Sequence, residues 1–483
     1  MRAALLCATV TGQTTEELRA QRDRVVGADL VELRLDYVDR PDVVGALADR
    51  RSPVIVTCRP TWEGGRFNGP EEDRRLLLSQ ALESGAEYVD IEWRAGFDDL
   101  IRRRHGRNVV VSTHDFTGLP DDLNDRYRAM RATGAEVVKV AAAVESLGEV
   151  LTLAAIGCQE RPDEKCVVIG MGMAGLPSRV LAGRFGSSWT YAGDAVAPGQ
   201  LSVDVLRDQF RFHEITESTA VYGVLGKPIG HSLSPGIHNA GFGAAGIDAV
   251  YLPLEARDMD DFARFADAVG MRGVSVTAPF KEEMMARVDR MDAIARRVGA
   301  VNTVRFDSDG WCGINTDVPA FLEPLDGRMA LGGTRATVLG SGGAARAVAL
   351  ALVEKGVAVT VCARNVERAA AVARTFGAVS ESMPPTPGSW DLLVNTTPVG
   401  TFPDVDVTPI PGATFDGNLV YDLVYNPRTT LLMAEATASG CDTIGGLDML
   451  VAQAERQFEW WTGRLPPVGL YGKVAARGLS TSG

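Results

Sequence analysis

Eight short β-rich runs recur at intervals of about 20–30 residues through the first 212 positions, separated by stretches rich in Arg, Glu, Ala and Leu that read as helices. The runs are Ala3–Val10, Leu30–Leu35, Val54–Cys58, Tyr88–Trp93, Val109–Ser112, Glu136–Ala141, Cys166–Gly170 and Ser188–Ala192. Strands alternating with helices run parallel, because each helix carries the chain back to the starting edge. Eight such units predict a (β/α)8 barrel over residues 1–215, at the compact end for that architecture.

Several of these strands carry charge where a barrel interior is expected. Glu32, Arg34 and Asp36 share one face of the second run, and Asp90, Glu92 and Arg94 one face of the fourth. Charges inside a buried strand are costly unless they line a site. Barrel sites form at the C-terminal strand ends, so His114, Lys139, Arg59 and the Glu32/Arg34 pair are expected to converge on one mouth. An amine within an apolar strand loses hydration of its charged form, and Arg34, Arg59 or Arg179 nearby would disfavour that form further. A neutral amine can condense with a ketone, and an imidazole such as His114 suits the proton transfers.

The chain's 483 residues exceed what one core supports. A second pattern begins near residue 219, with a strand at Val221–Gly226 and further βα units through Val274–Thr277 and Val301–Phe306. Near residue 336 a strand runs into Gly340-Ser-Gly-Gly-Ala-Ala-Arg346 and then a helix, a context in which glycine N–H groups and the helix N-terminus meet a pyrophosphate. The following strand, Ala358–Cys362, ends in Arg364 and Asn365 rather than an acidic residue, and Arg368 lies one turn on. Cations there favour a 2′-phosphate, so NADP is expected over NAD. Units are expected at 1–215, 220–325 and 330–445, with a final helix over 447–463, in a segment 447–475 that returns to the middle unit.

Composition narrows the partners. With 46% hydrophobic and 23% charged residues the chain is globular, and its net charge of -13 repels nucleic acid and anionic membrane. Its seven cysteines lack zinc-site spacing, which fits a reducing cytoplasm and no metal. No apolar stretch approaches a membrane span, and the start runs straight into a strand-like segment, so no targeting segment is expected.

Residues 1–212 resemble the type I 3-dehydroquinate dehydratases through six collinear motifs: Glu32-Leu-Arg34-Leu-Asp36, Thr57-Cys-Arg59-Pro-Thr-Trp-Glu63-Gly-Gly65, Ser112-Thr-His114-Asp-Phe116, Val138-Lys139-Val140, Gly170-Met-Gly-Met-Ala-Gly-Leu-Pro-Ser178-Arg179 and Ala197-Pro-Gly-Gln200. The resemblance implies a Schiff base between Lys139 and the ketone of 3-dehydroquinate, with His114 carrying protons. It further implies that Glu32 orients His114 or binds a substrate hydroxyl, that Arg179 clamps the carboxylate, and that Arg34, Arg59 and Gln200 complete the pocket. Val196 stands where many relatives carry a small hydroxyl residue.

Residues 220–475 resemble shikimate dehydrogenase through Gly226-Lys-Pro-Ile-Gly-His-Ser232-Leu-Ser234-Pro235, Ser275-Val-Thr277-Ala-Pro-Phe-Lys281, Gly299-Ala-Val-Asn302-Thr303, Gly313-Ile-Asn315-Thr-Asp317, Asn395-Thr-Thr-Pro-Val-Gly400, Tyr421-Asp-Leu-Val-Tyr425-Asn-Pro427 and Gly445-Gly-Leu-Asp-Met-Leu-Val-Ala-Gln453. Ser234 before Pro235 reads equally well as a helix N-cap and as part of a carboxylate cradle. The resemblance implies that Lys281 and Asp317 act at the substrate hydroxyl and that Ser232, Ser234, Thr277, Asn302, Tyr425 and Gln453 hold the substrate. It places the cofactor against Gly340, Ser341, Gly342, Gly343, Ala344, Arg364, Asn365, Arg368, Thr396 and Gly446. Ser275 replaces the Asn common in bacterial single-domain relatives and resembles the plant fusions instead. Joined, the halves resemble the bifunctional enzymes that convert 3-dehydroquinate to 3-dehydroshikimate and then to shikimate. The competing readings are a non-catalytic metabolite sensor and a dehydrogenase that prefers quinate.

Overall fold

In a computed structural model, which describes residues 4–157, 164–193 and 199–480, each β-rich run of the first half forms a strand. These are β1 (Leu5–Val10), β2 (Leu30–Arg34), β3 (Val54–Thr57), β4 (Tyr88–Glu92), β5 (Val109–Asp115), β6 (Val137–Ala143), β7 (Lys165–Met171) and β8 (Trp189–Ala192). They pair in the order β7-β6-β5-β4-β3-β2-β1-β8, and every ladder is parallel. A single parallel bridge, Cys166 to Ser187, and the bond from Ser188 N to Cys166 O (2.7 Å) bring the two ends together as a near-closed barrel.

The barrel interior is layered by the two-residue repeat of its strands. Leu30, Ile55, Val110, Val137, Val167 and Trp189 form an apolar plug. Two residues further along the same strands stand Glu32, Thr57, Ser112, Lys139 and Tyr191, all buried. The plug closes the N-terminal end, so the polar layer opens only toward the C-terminal mouth. Strand β5 runs three residues past the expected Ser112, because Thr113, His114 and Asp115 stay in the ladder against Val140, Ala141 and Ala142.

The chain divides into two compact units: Met1–Val221 with Pro228–Gly230 and Asp248–Gly270, and Tyr222–Lys227 with His231–Ile247 and Met271–Gly483. The first unit therefore includes the helix Met259–Ala268, whose buried Asp261 accepts from Leu147 N (3.0 Å) and Gly148 N (2.8 Å) at the start of the helix Leu147–Gly157. That carboxylate satisfies backbone donors no helical carbonyl can reach.

Past the barrel come β9 (Ala220–Leu225), β10 (Ala249–Leu254), β11 (Met271–Val276), β12 (Arg290–Met291), β13 (Thr303–Asp307) and β14 (Gly310–Ile314). Here the expected run of βα units gives way to a mixed sheet. β13 pairs antiparallel with both β11 and β14, and β12 lies parallel to β14. The hairpin is set by the turn between Asp307 and Gly310, where Gly310 takes a φ of 119°.

The last sheet comprises β15 (Arg335–Leu339), β16 (Ala358–Ala363), β17 (Val379–Ser382), β18 (Leu392–Asn395), β19 (Leu419–Asp422) and β20 (Asp442–Gly445). Its order, β17-β16-β15-β18-β19-β20, is all parallel and is the doubly wound order of dinucleotide-binding folds. Apolar clusters line it, one around Val348 and Leu352 and another around Trp390 and Leu432. The order reverses between β15 and β18, where such sheets open a crevice for ligand.

Two candidate active sites

In the barrel, a cavity of about 90 Å³ is bounded by Glu32, Arg34, Arg59, His114, Lys139, Arg179 and Gln200, all seven of the nominated residues, together with Thr9, Glu63 and Tyr191. Val196, Ala197 and Pro198 lie outside the described residues. Lys139 is 4% exposed; its Nζ donates to Asp90 Oδ2 at 3.0 Å and sits 4.2 Å from the centre of the Tyr191 ring.

The expectation that arginines press on this amine needs correction. Its nearest charged partner is a carboxylate, and Arg34 and Arg59 are already engaged. Arg34 forms a bidentate pair with Asp36, both bonds 2.8 Å. Arg59 donates to Asp90 Oδ2 (2.9 Å), Glu92 Oε1 (2.7 Å) and Ser112 Oγ (2.8 Å). Glu92 also pairs with the fully buried Arg74. Burial raises the Asp90 carboxyl, but Arg59 and Lys139 outweigh it and hold the group well below the usual carboxylate range. Asp90 and Glu92 thus act as the counter-ions of the site, a role that the strand pattern suggests only in outline.

A second correction concerns His114. Glu32 does not orient it: the Glu32 oxygens accept from the hydroxyls of Thr9 (2.8 Å) and Thr57 (2.7 Å). Glu63 does, with Oε2 2.8 Å from His114 Nδ1 and accepting the His114 backbone N–H at 3.1 Å. Glu63 reaches inward because the chain after β3 doubles back. Gly64 takes a φ of 76°, and a Cβ on Gly65 would stand 2.1 Å from the Arg59 carbonyl oxygen. Burial pushes the Glu63 carboxyl up to about 8. Burial, with the charges of Arg59 and Lys139, pushes His114 well below its ordinary value. Both directions favour an uncharged pair at neutral pH. Arg179, on the short helix Leu176–Val180, is pulled down by burial to about 10 and so keeps its charge at neutral pH.

In the second unit, Lys281 Nζ donates to Asp317 Oδ2 at 2.6 Å, and the other Asp317 oxygen accepts from Asn302 Nδ2 at 2.7 Å. Gln453 Oε1 lies 3.5 Å from the same Asn302 nitrogen. Thr277 follows β11, four positions before Lys281, with its N–H bonded to Leu225 O (2.9 Å). Ser234 is not the N-cap: it is the first residue of the helix Ser234–Ala244, Leu233 caps it without a side-chain bond, and the Ser234 N–H donates to Ser232 Oγ (3.3 Å). Burial raises the Tyr425 phenol, partly offset by hydrogen bonds with Leu233 and Ser232, which places Tyr425 beside Ser232.

The glycine turn follows β15 at the switch point. Gly340 has a φ of 118°, and a Cβ there would stand 2.4 Å from Thr396 Oγ1, whose hydroxyl donates to Leu339 O (2.7 Å). Gly342 precedes the helix Gly343–Glu354 with no side-chain cap and with open space where a Cβ would go, so a ligand can approach the first-turn N–H groups around Ser341, Gly343 and Ala344. A Cβ on Gly343 would stand 3.1 Å from Lys281 Cδ, which puts this turn next to the Lys281–Asp317 pair. Arg364 and Arg368 are exposed at the end of β16. Asn365 caps the next helix by accepting from Arg368 N (2.9 Å). Gly446 makes room for backbone: a Cβ there would stand 2.1 Å from Leu423 O.

Comparison with known proteins bears on both halves of the chain. Residues 6–217 match the family described as Type I 3-dehydroquinase, residues 224–304 the Shikimate dehydrogenase substrate binding domain, and residues 446–470 the Shikimate 5'-dehydrogenase C-terminal domain. The bifunctional 3-dehydroquinate dehydratase/shikimate dehydrogenase, chloroplastic, of Arabidopsis thaliana is 33% identical over 98% of this chain and 84% of its own. The shikimate dehydrogenase (NADP(+)) of Moorella thermoacetica is 41% identical over 56% of this chain and 97% of its own. Among solved structures, a shikimate dehydrogenase in complex with NADP+ aligns over 55% of this chain and 97% of its own, at 32% identity and a TM-score of 0.51. The chain belongs to the family of bifunctional 3-dehydroquinate dehydratase/shikimate dehydrogenases.

Proposed function

We propose that the barrel dehydrates 3-dehydroquinate to 3-dehydroshikimate and that the second unit reduces 3-dehydroshikimate to shikimate with NADPH. The observation that carries the first step is a buried amine, Lys139, at a cavity also bounded by a neutral imidazole and a buried guanidinium. Arg179 anchors the substrate carboxylate. Lys139 Nζ passes its extra proton to His114 and attacks the ketone; the ketone oxygen then takes one proton from the attacking nitrogen and the one held on His114, leaves as water and gives a protonated imine. That cation withdraws electrons, so His114 can take a proton from the neighbouring carbon and return it to the leaving hydroxyl. Loss of this second water forms the ring double bond, and hydrolysis of the imine consumes one water and restores Lys139.

In the second unit the residues present fit a phosphorylated dinucleotide. The open Gly342 turn, the uncapped helix N-terminus and the exposed Arg364 and Arg368 supply donors and cations suited to a pyrophosphate and a 2′-phosphate. When bound, NADPH supplies the hydride. Lys281 donates the proton that the developing alkoxide needs, and Asp317 holds the ammonium in place. Ser232, Ser234 and Tyr425 hold the carboxylate, while Thr277, Asn302 and Gln453 face the ring hydroxyls.

All partners in this reading are small molecules. Among the described residues no cysteine is in a disulfide, which suits a reducing compartment such as the cytoplasm, and no helix is long and apolar enough to cross a membrane. The test is consumption of NADPH by the purified chain given only 3-dehydroquinate. Oxidation of NADPH with shikimate as product supports the reading; unchanged NADPH, with no 3-dehydroshikimate formed, overturns it.

A further inference from the structure

Four hydrogen bonds of one polarity run from the interior of the second unit to Asp317, which accepts from Lys281 on its other oxygen. Ser275 Oγ donates to Gln457 Oε1 (2.9 Å), and Gln457 Nε2 donates to Thr303 Oγ1 (3.0 Å). Thr303 Oγ1 donates to Asn302 Oδ1 (2.9 Å), Asn302 Nδ2 to Asp317 Oδ1 (2.7 Å), and Lys281 Nζ to Asp317 Oδ2 (2.6 Å). Ser275, Thr303, Gln457, Asn302 and Asp317 are each 7% exposed or less, so water does not substitute for a missing link.

The direction of these bonds is set at the Asn302 end, where a backbone N–H can only donate and a carboxylate can only accept. An amide can sit either way round at nearly the same shape. With the Asn302 oxygen on its side, Thr303 spends its single hydroxyl hydrogen on that oxygen and accepts from the Gln457 nitrogen, which leaves the Gln457 oxygen to accept from Ser275. With Thr316 N also donating to Asn302 Oδ1 (2.8 Å), that oxygen has both acceptor positions filled. The Asn302 nitrogen must therefore face Asp317 and Thr316 Oγ1 (2.9 Å). Turned round, Asn302 would set its oxygen against the Asp317 carboxylate.

We propose that Ser275, Gln457 and Thr303 are positioning residues: a relay that fixes the amide of Asn302 and thereby holds Asp317 where it orients Lys281 for proton donation. This rests on the dehydrogenase reading of the second unit. Gln457 lies one helical turn beyond Gln453 and touches neither Lys281 nor Asp317 directly, so it acts through Thr303 and Asn302.

The test uses the full chain and follows shikimate oxidation. Gln457→Leu is expected to lower kcat about 10-fold with the KM for NADP changed less than about twofold. Thr303→Val should do the same, the double variant no worse than either, and Thr303→Ser should restore turnover. Gln457→Glu gives a readout that packing alone does not move. As a carboxylate the substituted side chain cannot donate to Thr303, and protonated it can, so the rate of this variant relative to the parent chain should climb as pH falls while that of Gln457→Leu stays level. The neighbouring imidazole of His238, which interacts with Gln457, is pushed down by burial to about 3 and stays neutral across the assay range. An unchanged kcat in Gln457→Leu, losses that multiply in the double variant, or a level Gln457→Glu ratio would each overturn the relay. If Gln457→Leu does not fold, the Thr303→Val and Thr303→Ser pair decides it. A parent chain that does not oxidise shikimate at all would overturn the dehydrogenase reading instead.

Discussion

The two candidate sites hold a lysine in place by opposite electrostatic means. Around Lys139 the barrel seals Arg59, Arg74, Asp90 and Glu92 from solvent, each matched to an opposite charge. Around Lys281 there is one ion pair, its lysine side chain 16% exposed, backed by neutral amides and hydroxyls. Covalent chemistry at a buried amine needs surroundings that tolerate charge appearing on nitrogen during the cycle. Proton donation to a developing alkoxide needs a donor held in line, and a neutral network does that without the desolvation penalty of further ions. The two regions should therefore fail differently when damaged.

The largest effect separates them by activity. Lys139→Ala should lower dehydration by more than about 1,000-fold and leave shikimate oxidation within about twofold, because it removes the proposed nucleophile. Lys281→Ala should lower shikimate oxidation by about 100-fold or more and leave dehydration intact. Separate assays on each purified variant check this, and loss of both activities in a folded variant breaks the two-site account.

Next comes stability. Asp90→Ala leaves Lys139 and Arg59 short of a buried counter-charge, and removal of one partner of a buried pair costs about 3–5 kcal/mol. Asp317→Ala leaves only a partly exposed ammonium, so it should cost markedly less. Urea unfolding of the two variants measures the difference; equal losses would mean that the barrel charges are not the tightly compensated set described above.

Much of this contrast is legible in the sequence. Polar residues on one strand face, two positions apart, announce a lined interior, and a strand running into Gly340 announces the dinucleotide turn. What the sequence hides depends on distance along the chain. Glu63 is visible in its motif, yet nothing local says that the chain after β3 folds back to His114, which lies 51 positions away. Tyr191 reads as an ordinary core aromatic, and its place against Lys139 follows only from closure of the barrel. Ser275 stands out as a replacement, but its partner Gln457 is 182 positions distant. The β13–β14 hairpin is hard to foresee because a short turn ending in Gly310 is a weaker signal than the surrounding helix–strand alternation.

A pH comparison sharpens the contrast. Glu63 has a folded value near 8, above an ordinary carboxyl, so between those values the folded barrel holds a proton that the unfolded chain releases, and stability falls as pH rises toward 8. His114 works the other way, being lowered from 6.5: below that value the unfolded chain takes up the proton first, and stability falls as pH drops. As pH rises past 6.5 the His114 effect fades, while the Glu63 effect persists up to about 8. Glu63→Gln should therefore flatten the decline between pH 6.5 and about 8, as read by urea unfolding at fixed ionic strength; an unchanged slope would mean that Glu63 is ionised in the folded chain.

The smallest effect concerns cofactor choice. Arg364→Ala removes one of two exposed guanidiniums at the end of β16, so NADPH should weaken about 10-fold while NADH changes little. Equal weakening of both, by fluorescence titration, would place the phosphate contact elsewhere.

The central claim is that a buried lysine in the barrel becomes covalently joined to a ketone. Borohydride added during turnover of 3-dehydroquinate should leave a stable adduct whose mass maps to the peptide containing Lys139, absent from Lys139→Ala, in protein that still oxidises shikimate. A chain that turns over 3-dehydroquinate yet yields no adduct, or carries it on another lysine, would contradict the account.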